Sequence, residues 1–183
     1  MINRIKKYWY LVGLAFLASL LLVIKITLRV EVETPDASDN SWKGITPGKT
    51  KLVELQNRFE EPIRVDDKNG SKVFYYAPEK EKWATEVQVE RTNDSVQFIK
   101  RYPTSEETYQ SFIDKYGENH RTFYNQDSSI GIVVLVYLDK GIALVANPSV
   151  SSVQEVWYFS PMDSNTFLKT VGKNLTLEKV ERF

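Results

Sequence analysis

The sequence predicts an α+β architecture: an N-terminal transmembrane helix, then two tandem helix-plus-antiparallel-sheet repeats, then a C-terminal helix. Three observations lead there. The first thirty residues hold a long uncharged apolar run, a shift of 57 residues superimposes two stretches of the chain, and hydrophobic spacing switches between a helical period and a period of two.

The apolar run from Tyr8 to Ile24 contains no charged residue, and at ~1.5 Å per residue it nearly crosses a ~30 Å hydrocarbon core. Snorkelling of Lys25 extends the expected span over 8–28. Arg4, Lys6 and Lys7 lie in the stub 1–7, whereas Glu31, Glu33, Asp36 and Asp39 follow the span. That asymmetry predicts a single-pass protein of the cell membrane with a cytoplasmic N-terminus and an extracytoplasmic C-terminal domain. Trp9, between Tyr8 and Tyr10, suits an interfacial belt. No small-x-small pair directly follows the run, which disfavours cleavage as a signal peptide, and with 0 Cys there is no site for a lipid thioether or a disulfide.

Residues 29–41 are mostly polar and acidic and read as a flexible linker. Five of the 24 basic residues and none of the 24 acidic ones fall within residues 1–30, leaving a formal charge of −5 beyond them. An acidic domain argues against a nucleic-acid partner.

The repeat sets unit 1 at 42–103 and unit 2 at 104–161. Leu52, Leu55 and Phe59 superimpose on Tyr109, Phe112 and Tyr116, each set forming one apolar helical stripe. Thr85, Val87 and Val89 fall on Ile142, Leu144 and Ala146, all at strand spacing, and Val96-Gln97 falls on Val153-Gln154. Asn69-Gly70 and Asp139-Lys-Gly141 supply hairpin turn chemistry, and Gly117 a helix C-cap. Thr50 is expected to cap the first helix, and Thr104 with Glu107 to form a capping box for the second. Each unit then reads as a helix followed by about three antiparallel strands. Phe167-Leu-Lys-Thr-Val-Gly-Lys-Asn174 repeats the helix pattern of Phe112–Asn119, so 162–183 is expected to be a capping helix and tail.

The segment Trp42-Lys-Gly-Ile-Thr-Pro-Gly-Lys-Thr50, with Glu54-Leu55, Phe59 and Pro62, resembles the opening of SmpA/OmlA (BamE-like) envelope domains. Two such units in tandem are similar to the β-lactamase-inhibitor-protein (BLIP-like) fold, whose open face receives a protein partner. The resemblance implies interaction rather than catalysis. Glu60 departs from the family's usual Gly, and Asn119 stands in the second unit where the first has Pro62.

Catalytic chemistry finds little footing. One His and no Cys leave no His/Cys metal site. His120 could pair with Ser128 or Ser129 only if the fold brought them together, and the pairs Glu60-Glu61, Asp66-Asp67 and Glu106-Glu107 sit where helix ends or turns account for them. No nucleotide, hydrolase-elbow or zinc-protease fingerprint occurs, so no catalytic residue, metal or cofactor is expected.

A sharper signal is an asymmetry between the units. Glu86 and Gln88 become Ala143 and Val145, and Ile130–Leu138 is a continuous apolar run, so the outer face of unit 2 is expected to be covered. Coverage comes either from within, by Leu175–Phe183 or by packing between units, or from a partner docking on Ala143, Val145, Trp157, Tyr158 and Phe159. The expected function is a membrane-anchored, non-catalytic protein-interaction module of the cell envelope, with another envelope protein as partner and any small ligand undetermined. A ligand sensor or enzyme inhibitor is the first alternative, and a carboxylate-dependent hydrolase the second.

Overall fold

Along Thr85–Glu90 buried and half-buried side chains alternate, and the same alternation on neighbouring strands builds one nine-stranded antiparallel sheet. The structure is a computed structural model that describes residues 40–68, 70–78, 81, 83–125 and 131–178. In chain order the elements are α1 (Leu52–Arg58), β1 (Arg64–Lys68), β2 (Ser71–Tyr76), β3 (Thr85–Glu90), β4 (Val96–Arg101), α2 (Tyr109–Tyr116), β5 (Arg121–Asn125), β6 (Val133–Tyr137), β7 (Ile142–Asn147), β8 (Ser152–Phe159), α3 (Ser164–Lys169) and β9 (Leu175–Thr176). A single 3₁₀ turn, Pro148–Val150, links β7 to β8.

The sheet order is β1-β2-β3-β4-β8-β7-β6-β5-β9. At its middle β4 pairs with β8, placing Lys100 opposite Trp157 and Phe98 opposite Phe159. Leu52 and Tyr109 open α1 and α2, Arg64 and Arg121 open β1 and β5, and Thr85 and Ile142 open β3 and β7, each pair 57 residues apart. Even the register shifts share this spacing, falling between Gln88 and Val89 in one half and between Val145 and Ala146 in the other.

Helices α1 and α2 bury one stripe each on the same face of the sheet. Leu55, Phe112 and Tyr116 join Val87, Ile99, Leu144 and Val156 in the main core. The Glu54 carboxylate accepts the Lys51 backbone N–H at the start of α1, and the Thr108 hydroxyl accepts from Ser111 N at 3.2 Å at the start of α2. The expected caps fall elsewhere: Thr50 Oγ1 accepts from Thr46 N, and Glu107 accepts from Thr104 N while Arg101 holds both its carboxylate oxygens. Residues 104–108 are thereby held as a turn, and α2 begins at Tyr109. On the opposite, outer face a second core gathers Phe123, Val134, Val136, Ala143 and Phe159 beneath Phe167 of α3.

The expected fold class is corrected. In place of an N-terminal transmembrane helix followed by helix-plus-sheet repeats of about three strands, the described residues form a single sheet of nine strands with helices of only 7, 8 and 6 residues. Backbone pairing of β4 with β8 carries the sheet straight across the expected 103/104 boundary. After α3 the chain returns as β9, so the C-terminal part is more than a capping helix: Tyr124 faces Thr176 and Asn125 faces Leu175.

Single-pass membrane topology, with its cell-membrane localisation, cytoplasmic N-terminus and extracytoplasmic domain, is likewise corrected: among the described residues no helix is long and apolar enough to cross a membrane. The expected span 8–28, the stub 1–7 and nearly all of the linker 29–41 lie outside the described residues.

Candidate functional site

One row of side chains crosses the outer face through eight strands, and its chemistry changes halfway. In cross-strand register it reads Arg64, Tyr75, Glu86, Lys100, Trp157, Ala143, Val136 and Arg121. The Cβ atoms of directly opposed residues on one face lie about 5 Å apart, so neighbours in the row stand side by side. From β1 to β4 the row is charged and aromatic; from β7 to β6 it is apolar and lies under α3.

In the first half each charge has a neighbour. The Arg64 guanidinium lies 3.8 Å from the Tyr75 ring centroid and 3.2 Å from the Asp66 carboxylate. The Lys100 ammonium lies 2.6 Å from Glu86, both side chains being about one-fifth exposed. Burial pulls the Lys100 ammonium down, but the Glu86 hydrogen bond and the charges of Glu155 and Glu86 more than offset this and hold it above its ordinary value. Lys100 therefore stays charged.

Trp157 stands where the two halves meet. Its indole N–H donates to Glu155 at 2.7 Å, and its ring meets Phe98 edge-on, with centroids 5.9 Å apart. Val145 and Trp157 are half-buried at the margin of the outer core. Ala143 and Phe159 lie deeper, each 0 % exposed, and Phe159 packs 5.2 Å from the Phe167 ring. Tyr158 points the other way, into the main core, where its hydroxyl accepts from Arg101 Nε at 3.0 Å. Of the five residues singled out as a partner surface, the fold thus brings Val145 and Trp157 together at an accessible rim and places the other three beneath α3 or on the opposite face.

The sequence reading missed Phe98 and the Glu86–Lys100 pair. Phe98 stood in the run Val96-Gln-Phe-Ile99, where two adjacent large apolar residues hide which one faces outward.

Arg101, Glu107 and Tyr158 form a second polar cluster, in the crossing from β4 to α2. Burial pushes the Glu107 carboxyl up, yet hydrogen bonds from Arg101 and from Thr104 N outweigh it and hold it below its ordinary value. Burial raises the Tyr158 hydroxyl despite the opposing Arg101 charge. These groups tie the linker to the sheet. His120 is half-buried, its ring 5.5 Å from that of Tyr137, and its Nδ1 is buried without a hydrogen-bond partner. Ser128 and Ser129 lie outside the described residues. Asp66, Asp67 and Glu107 are each paired with an arginine. Among the described residues no group of three or more His, Cys, Asp or Glu side chains could hold a metal ion.

No protein-family model matches the chain. No curated protein matches it either. Among solved structures, a DUF4309 family protein (YjgB) from Bacillus subtilis aligns at 16% identity and a TM-score of 0.48, covering 64% of this chain and 82% of that one. An extracellular protein containing a SCP domain from Bacillus anthracis aligns at 14% identity and a TM-score of 0.48, covering 76% of this chain and 51% of that one. The SmpA/OmlA resemblance rests on its quoted residues alone, and at these TM-scores neither likeness carries an argument about what the chain does.

Proposed function

We propose that this domain is a non-catalytic protein-interaction module whose docking surface is the polar–aromatic half of the outer face, centred on Trp157. The observation that carries the reading is the half-buried Trp157–Phe98 pair at the rim of the outer core, bordered by the Glu86–Lys100 ion pair. An aromatic anchor ringed by polar groups is the composition of an interface hot spot. Asp66, Glu86, Glu90 and Glu155 outnumber Arg64, Lys68 and Lys100 on this face, and the chain beyond residue 30 is acidic, so the fitting partner is a protein with a basic contact surface.

A photo-crosslinking residue at Gln88 of the full chain tests the reading in the cells that make it. The expected adduct with a single basic protein falls at least about fivefold with Trp157→Ala or Glu155→Arg, in variants whose melting temperature is retained. The same probe at Asp114, on the exposed side of α2, yields no such adduct. Adducts that form equally from both positions, or that survive both substitutions, would remove the proposal.

A further inference from the structure

Four separate segments meet at one end of the sheet around an open cleft of about 540 Å³: Asn40, the turn Pro47–Lys49, the β6–β7 turn Asp139–Lys140, and Ser160–Pro161 after β8. Two close approaches build it. Gly48, at φ +80°, lies so near Ser160 that an added Cβ would collide with the serine hydroxyl. The Asn40 carboxamide, 5% exposed, donates to Phe159 O at 2.9 Å and holds the entering chain against β8.

Two lysines and one carboxylate line this cleft, and one of the lysines, Lys140, is already engaged. Among the described residues, the Lys49 ammonium, the Asp139 carboxylate and the Ser160 hydroxyl have no side-chain hydrogen-bond or ion-pair partner, and Lys49 and Asp139 do not pair across the opening. Lys49 and Asp139 line one space without pairing, so a ligand that carries both opposite charges finds a counter-charge at each end. A ligand with one charge forms a charge-assisted contact with only one of the two. The volume lies within the ~300–1,000 Å³ range of small-molecule sites.

We propose that this cleft binds a small zwitterion of the amino-acid class, its carboxylate toward Lys49 and its ammonium toward Asp139, with Ser160 as a further hydrogen-bonding group. The site is independent of the Trp157 surface. Titration of the full chain with glutamine, propionate and propylamine, read by calorimetry, tests it. Glutamine binds saturably, and the two singly charged probes bind about tenfold or more weaker. Lys49→Met erases the preference for glutamine over propylamine, and Asp139→Asn erases the preference over propionate. Both side chains are exposed and partnerless, so these variants retain the parent melting temperature. Equal binding of the three probes, no saturable binding of glutamine, or glutamine affinity unchanged in both variants overturns the proposal.

Discussion

Two tyrosines in matching places have opposite hydrogen-bonding fates. Arg64 faces Tyr75 in one half and Arg121 faces Val136 in the other, so Tyr76 and Tyr137 are register equivalents. The Tyr137 hydroxyl donates to Gly117 O at 2.7 Å, whereas the Tyr76 hydroxyl is buried with no partner. The difference lies in the helix ends: α2 closes on Gly117 at φ 84°, while α1 closes on extended Phe59. Tyr137→Phe is expected to cost about 0.5–1.5 kcal/mol because it removes the bond to Gly117 O, and Tyr76→Phe to be neutral or stabilising, as denaturant melts of both variants would show. Burial, with Tyr109 and Tyr116 close by, pushes the Tyr137 hydroxyl up to about 12, so its donor role holds through the neutral range. Glu107 governs the acid side. Its folded carboxyl titrates below the unfolded value of about 4.3, so it contributes stability above that value that is lost as pH falls through the folded one. Glu107→Gln should flatten the acid limb of a Tm–pH profile. It should also cost about 3 kcal/mol at neutral pH by leaving Arg101, with 9% of its side chain exposed, without a counter-charge.

Six residues are too few for a helix that stands alone, and α3 holds its place through tertiary contact. Asp163 caps it, accepting from Asn165 N and Thr166 N, Arg121 reaches its first residue with a 2.8 Å bond to Ser164 Oγ, and Phe167 plugs the outer core at 0 % exposure. Phe167→Ala should cost about 3–5 kcal/mol, and hydrogen exchange should show protection lost first along β9 and β5. The stripe Phe112–Tyr116, the turn at Gly117 and the alternation Thr85–Glu90 were legible because each is a local pattern. Strand β1 was legible only through the Asn69-Gly70 turn chemistry after it: Arg64, Asp66, Asp67 and Lys68 give it no apolar period of its own, and pairing with β2 holds it in the sheet. The cover over Ala143 and Phe159 was also hidden, for Phe167 comes from a segment whose own pattern says only that it is helical. Trp157, Tyr158 and Phe159 read as one aromatic patch in sequence, yet the strand period sends Tyr158 to the opposite face from its neighbours.

Across the whole molecule, the seam between β4 and β8 decides the architecture, and no sequence signal announces which strands of two similar halves will pair. The candidate docking surface depends on that seam, because Phe98 comes from one half and Trp157 from the other. The cleft of Lys49 and Asp139 depends on long-range closure in the same way, which a reading by local spacing does not see. At one end of this sheet lies β1, with four charged residues in five and its Asp67 tied to Arg91. An outermost strand invites a stranger to zip onto it, and stacking of that kind grows into fibres. A newcomer would have to lay its backbone along this run of charged side chains and strip the water from it. Charge at this margin thus works against edge-to-edge stacking.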